Sequence, residues 1–212
     1  MTDKTTTKKS SPVKVNLGCG VGLFKGFINV DKYFTLKQLQ SKRGLYRNAM
    51  IEPGAEFVQA DAANLPFSDS SVDYIESINM IEHIPIRDVP QVFAEIARIL
   101  KPGGRLGLLT DNFDKLAQNW TNNVAKPDFS EHHYFELAQL IYGNQLGPGE
   151  FHTSPFNPWI LNSFIVWAGL TLDKMTIYPQ GSTDAPQLQT VKWQKNSLLR
   201  NEVMWAEAHL PK

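Results

Sequence analysis

Apolar and polar positions follow two rhythms along the chain. Residues 13–17, 27–30, 56–60, 72–78 and 105–110 are short β-prone runs rich in Val, Ile, Leu and Phe, and most of them stop at Gly or Asp. Such brief, nearly continuous apolar runs are the pattern of parallel strands buried on both faces. Between them lie segments of helical period. In residues 87–100, Val89, Val92, Phe93, Ile96, Ile99 and Leu100 recur at helical spacing, and Pro102-Gly103-Gly104 ends the run. Residues 35–50 carry Leu36 and Leu39 in a looser helical pattern before the turn pair Pro53-Gly54. Strands alternating with helices predict a doubly wound α/β domain, its sheet mostly parallel and its helices on both faces.

The later chain departs from this alternation. Residues 112–123 and 131–142 both read as helices, and a Gly/Pro-containing stretch, 143–158, follows them. A connection of that length is usually functional or mobile. Residues 159–168 return to a helix closed by Gly169. Residues 170–178 and 188–193 then read as strands, and 197–209 as a terminal amphipathic helix. At the other end, residues 1–12 are Thr, Lys and Ser with almost nothing to bury, the composition of a flexible tail. The expected organisation is a tail over 1–12 and one domain over 13–212, with an insertion around 112–160.

Composition narrows the class. A chain of 212 residues with 42% hydrophobic and 20% charged residues can bury a globular core without staples. Cys19 is the only cysteine, which excludes an intrachain disulfide and a cysteine metal cluster and suits a reducing compartment. Lys plus Arg equals Asp plus Glu at 21 each, so the chain lacks the positive field that accompanies non-specific nucleic-acid or membrane-surface binding. A small or neutral partner is favoured. No apolar run approaches the ~20 residues needed to span a bilayer, so the expected location is cytoplasmic.

The first chemical signal is Val15-Asn16-Leu17-Gly18-Cys19-Gly20-Val21-Gly22, a strand running into glycines at alternate positions. Glycine lets the backbone turn tightly and approach a ligand without a Cβ, and a nucleoside-type ligand is implied. A structural turn at a sheet edge looks similar. The dinucleotide fingerprint requires a third glycine where Leu23 stands, and no Gly-Lys-Ser/Thr of a phosphate loop follows. Asp31, at the end of the second run, carries a carboxylate that can accept two hydrogen bonds from a ribose diol. It comes earlier than the acidic residue of dehydrogenases, ~20 residues beyond the glycines. The connection from Gly20 to Gly26 leaves room for about one turn rather than a crossover helix. Gln59-Ala60-Asp61-Ala62 sets another carboxylate at the end of the third run, within reach of an adenine amino group.

With Asn16-Leu17-Gly18-Cys19-Gly20, Asp31, Asp61, Glu82-His83 and Leu100-Lys101-Pro102-Gly103-Gly104 in this order and spacing, the chain resembles the class I S-adenosylmethionine-dependent methyltransferases over residues 13–111. The compressed Gly26-Phe27-Ile28-Asn29-Val30-Asp31 segment further resembles small methyltransferases, some associated with surface-polysaccharide synthesis. The resemblance implies a Rossmann-like sheet of seven strands, the last antiparallel, a role that falls to 188–193. It implies S-adenosylmethionine as cofactor, with Gly18, Cys19 and Gly20 near its methionine part, Asp31 on the ribose, Asp61 and Ala62 flanking the adenine, and Asn79 facing the reacting centre. The 112–160 insertion would then stand on the acceptor side, and a sugar or another small hydroxylated molecule is the expected acceptor. A protein or nucleic-acid acceptor, a catalytically silent cofactor-binding module and a nicotinamide dehydrogenase are the alternatives, the last opposed by Leu23 and the early Asp31.

Methyl transfer from a sulfonium is an in-line displacement, so the protein aligns the reactants and excludes water. A hydroxyl acceptor must also lose a proton, and histidine is the usual base near neutral pH. His83, just past the fourth strand, and His152, in the late loop with Phe151, Phe156 and Trp159, are the candidates; a loop-orienting or simple loop role is open to each. Asp111 is a third candidate base and equally natural, with Asn112, at a helix start. His132-His133 point in different directions on a helix and no carboxylate-rich cluster completes a set there, so no metal site is expected. Phe164 and Trp167 have the spacing of a buried helix face.

Overall fold

The structure, a computed structural model, describes residues 11–44, 47–179 and 202–212. Strands β1 (Lys14–Leu17), β3 (Ile28–Asp31), β5 (Glu56–Gln59), β6 (Val72–Ile78), β7 (Leu100–Asp111), β8 (Thr171–Pro179) and β9 (Glu202–His209) form one seven-stranded sheet in the order β5-β3-β1-β6-β7-β9-β8. Only β9 runs against the others: it is antiparallel to both β7 and β8, while every other pairing is parallel. Strand order reverses between β1 and β6, and ligands of open α/β sheets bind at the C-terminal ends of strands beside such a reversal.

Side chains alternate across the sheet, and each face collects its own cluster. Val15, Leu17, Ile75, Leu106, Leu108, Met204, Ala206 and Ala208 join the main core. Helices α2 (Val89–Ile99) and α5 (Pro158–Trp167) close that face, with the Phe93 and Phe164 rings stacked 5.9 Å apart. Val58 belongs to this core, whereas its neighbour Phe57 packs in a second cluster with Cys19, Leu23 and Leu39 of α1 (Leu36–Ser41). Helix α1 therefore covers the opposite face, where Leu109, Val203 and Trp205 form a third cluster. Of the two aromatics expected in the α5 core face, Phe164 packs there and Trp167 is 63% exposed.

Two segments differ from expectation. The first crossover contains no helix: β2 (Gly22–Leu23) pairs in parallel with β4 (Met50–Ile51), making a two-stranded sheet beside the main one. Buried Asn29 supports this compressed turn. Its amide nitrogen donates to Phe24 O, Phe27 O and Glu56 O, while its oxygen accepts from Phe24 N and Asn16 Nδ2. The second correction concerns the chain end. Residues 202–209 are strand, not the continuation of a terminal helix, and β9 takes the antiparallel role expected of 188–193, which lie outside the described residues. Glu, Met and Ala favour helices in isolation, but here Val203 and Trp205 face one cluster and Met204, Ala206 and Ala208 the other. That period of two, with ladder bonds on both sides, overrides the local preference.

Helices α3 (Phe113–Asn123) and α4 (Glu131–Tyr142) pack on each other after β7. The following loop is tied down by backbone bonds: His152 N donates to Tyr142 O, Thr153 N and Ser154 N to Glu82 O, and Phe113 N to Phe156 O.

Candidate active site

The C-terminal ends of β1, β3, β5 and β6 open into a cavity of about 320 Å³. Its walls include Gly18, Asp31, Ala62, Asn79, Met80 and His83. Gly18 has φ +70°, and a Cβ there would lie 2.0 Å from Met80 Cγ, so both the conformation and the packing demand glycine. Gly20 also has a positive φ, +53°, but open space where its Cβ would stand. Their amides fasten the turn rather than point freely outward. Gly18 N and Cys19 N both donate to Val30 O at 2.9 Å, and Gly20 N donates to Asp31 Oδ2 at 3.0 Å. The Cys19 side chain is part of the second hydrophobic cluster, and burial holds its thiol firmly protonated.

Asp31 is 9% exposed and accepts from Tyr33 N at 2.8 Å on its other oxygen. Burial pushes its pKa up while the N–H groups of Tyr33, Gly20 and Phe34 favour the ionised form. A carboxylate offers about four acceptor sites, so capacity for hydroxyl donors remains. Asp61 stands on the rim, held by Ala63 N at 3.0 Å and by Lys32 Nζ at 2.7 Å. Burial raises its pKa, but the Lys32 hydrogen bond, the Ala63 N–H and the Lys32 charge together outweigh it, leaving it below the usual carboxylate range. The loop that presents Asp61 is anchored from α2: Leu65 N donates to Glu95 Oε2, and Arg98 donates to Leu65 O, Phe67 O and Asp69. Asn79 has φ +48° and a buried Oδ1 without a hydrogen-bond partner. An orphaned acceptor in a cavity wall calls for an N–H donor from a ligand.

A second cavity, about 240 Å³, lies on the side of the α3–α4 insertion and is lined by Glu82, Asp111, Leu116, Tyr142, His152 and Phe156 among others. The two expected bases meet where the cavities adjoin: the His83 and His152 rings are 4.7 Å apart, edge to face. His83 belongs to the first wall and His152 to the second. Each has Nδ1 against a carbonyl, Phe151 O at 3.1 Å and Leu140 O at 2.9 Å respectively. A carbonyl only accepts, so Nδ1 carries the proton and Nε2 keeps its lone pair. Burial lowers the pKa of both, His152 to about 4 with the help of His83. Asp111 ends β7 in the wall of the second cavity, and Asn112 occupies the N-cap position of α3 without a side-chain cap hydrogen bond.

Sequence reasoning missed Glu82 as a functional group. It sits in the 3₁₀ turn Ile81–His83, 3% exposed, its Oε2 accepting from Thr110 Oγ1 at 2.9 Å and its Oε1 unpartnered. Burial, then the charge of Asp111, pushes its pKa up to about 8. No periodicity announces a buried acid in a three-residue turn; the only signal was its place beside His83. The His132-His133 pair does cap and face solvent: His133 completes a capping box with Ser130, and His132 pairs with Glu136. Lys101-Pro102-Gly103-Gly104 is structural, Lys101 bridging Asp73 at 2.7 Å and Gly104 lacking room for a Cβ.

With this geometry established, the comparisons with known proteins become informative. Residues 15–108 match the family model described as methyltransferase domain. Residues 15–108 therefore carry a methyltransferase domain, on the fold of S-adenosylmethionine-dependent methyltransferases. A methyltransferase of Streptomyces halstedii, GfsG, is 38% identical over 101 residues, 44% of this chain and 36% of that protein. The tocopherol O-methyltransferase of Arabidopsis thaliana is 27% identical over 195 residues, covering 80% and 55%, and a sterol 24-C-methyltransferase of Gibberella zeae is 32% identical over 193 residues, covering 77% and 49%. The chain thus spans about half the length or less of these relatives. Among solved structures, an S-adenosylmethionine-dependent methyltransferase from Methanosarcina mazei shares the fold at TM-score 0.60 and 16% identity, over 95% of this chain and 94% of that one.

S-adenosylmethionine is the cofactor of this family, and the first cavity fits it: the buried acid at the end of β3 and the orphaned Asn79 oxygen are acceptors of the kind that its hydroxyl and ammonium groups need. No helix among the described residues is long and apolar enough to cross a membrane.

Proposed function

We propose that this protein is an S-adenosylmethionine-dependent methyltransferase whose acceptor is a hydroxyl on a small molecule, a sugar being one such class. The observation that carries this reading is the histidine pair between the two cavities. A neutral Nε2 on His152, a residue that lines the second cavity, is what a hydroxyl needs to lose its proton, and a carbon acceptor would not use it in that way. In the displacement the acceptor oxygen forms its bond to the methyl carbon, the sulfur keeps the breaking pair, and the proton passes to an imidazole. The cofactor supplies the electrophilic methyl group. Asp31 would hold the ribose, Asp61 and Ala62 the adenine edge, and Asn79 the methionine end, while the loop carrying Gly149 and Glu150 helps wall the cofactor from water.

Among the relatives, the tocopherol enzyme is named for an oxygen acceptor and the sterol enzyme for a carbon. A panel of phenols, sugars and aliphatic alcohols, read by S-adenosylhomocysteine release, separates these outcomes. Methyl ether formation should fall about 10²–10⁴-fold in kcat in His152→Ala. Turnover of alkenes or proteins alone would overturn the hydroxyl reading. Cofactor binding without turnover of any acceptor would favour a silent binding module.

A further inference from the structure

We propose that Glu82, His83 and His152 form a binding site for one divalent transition-metal ion of the zinc type, at the junction of the two cavities. A carboxylate oxygen of Glu82 and one ring nitrogen from each histidine all lie within 4.8 Å of one another. Two imidazoles and one carboxylate are a ligand set for zinc and neighbouring first-row ions, leaving positions open for an exogenous oxygen.

Three features independent of that proximity point the same way. First, each histidine is held from behind by a backbone carbonyl, Phe151 O or Leu140 O. This outer-shell bond fixes ring orientation and tautomer in metal-ligating histidines. Second, Glu82 Oε1 is buried without a hydrogen-bond partner although Oε2 is satisfied by Thr110. A buried, half-satisfied carboxyl is costly unless something completes it. Third, Asp111 adds a second acidic group near Glu82, which favours a cation there.

The ion would face the second cavity and hold an acceptor oxygen by coordination. That role rests on the methyltransferase reading; the binding itself does not. Ion and proton exclude each other at the imidazoles: without the ion an imidazole takes the acceptor's proton, whereas with it the coordinated hydroxyl, made more acidic by the ion, would give its proton to solvent.

The test is calorimetric titration of chelator-treated, tag-free protein with Zn²⁺ and, separately, Mg²⁺, together with Co²⁺ absorption spectra. One equivalent of Zn²⁺ should bind, with affinity falling roughly tenfold or more in His152→Ala and in the isosteric Glu82→Gln, and Co²⁺ absorption falling in parallel. His132→Ala should leave binding unchanged. Absence of saturable Zn²⁺ binding, equal binding in Glu82→Gln with its melting profile intact, or preference for Mg²⁺ would each overturn the site. Binding of S-adenosylhomocysteine, measured on the same samples, reports on the cofactor cavity alone, so failure of the metal site and failure of the enzyme reading give different results.

Discussion

Asp31 and Glu82 are both buried carboxyl groups whose pKa burial raises, but they differ in the hydrogen-bond donors they receive. Asp31 receives Tyr33 N and Phe34 N on Oδ1 and Gly20 N on Oδ2, which leaves about one acceptor site, on Oδ2, for a hydroxyl group. Asp31→Ala should weaken S-adenosylhomocysteine binding by about 1–3 kcal/mol, the scale of losing charge-assisted hydrogen bonds, as calorimetry would show. Glu82 has one donor and a nearby acid. Its pKa, raised from 4.5 to about 8 by burial and then by Asp111, means that the folded state binds more protons than the unfolded one between those values. Its contribution to stability is therefore full below about pH 4.5 and lost as pH rises through about 8. The lowered His152 acts with opposite sign, its contribution being lost as pH falls from about 6.5 through 4. Between pH 6.5 and 8 the Glu82 effect stands clear. In chelator-containing buffer, the wild-type melting temperature should decline over that interval more steeply than that of Glu82→Gln. Parallel curves for the two proteins would place the excess proton elsewhere.

At the scale of elements, the first crossover, too short for a helix, holds strand β2 paired with β4, and Asn29 supports it. Its five hydrogen bonds join the turn at Phe24, β1 through Asn16 and β5 through Glu56. Asn29→Ala leaves several buried groups unpaired and should destabilise the protein by about 2–4 kcal/mol in urea titration. A loss under 1 kcal/mol would show that water replaces the amide there. The sequence revealed that this crossover was short, through Gly20 and Gly26, but not what filled it. A two-residue strand has no periodicity to read, and the role of Asn29 depends on partners 2 to 27 residues away. The long periodic elements were legible: α3, α4 and β6 fall where the pattern puts them, because one-sided or continuous burial writes itself into spacing. Strand β9 was not, since its residues favour a helix locally and only insertion between β7 and β8 makes the alternation meaningful.

Over the whole molecule, the strand order and the reversal between β1 and β6 bring Gly18, Asp31, Ala62 and Asn79 to one cavity from four separate strand ends. Those residues were readable one at a time because each lies at the end of an apolar run. The meeting of His83 and His152, 69 residues apart in sequence, was not readable, since it depends on how the 143–157 loop returns over the 3₁₀ turn. The same return brings His152, in the wall of the second cavity, against His83, in the wall of the first. The most direct test is calorimetric titration of the purified chain with S-adenosylmethionine, S-adenosylhomocysteine and NAD. One-to-one, mutually competitive binding of the first two, weakened in Asp31→Ala, with no binding of NAD, is the expected result; binding of NAD, or of none of the three, would contradict the account.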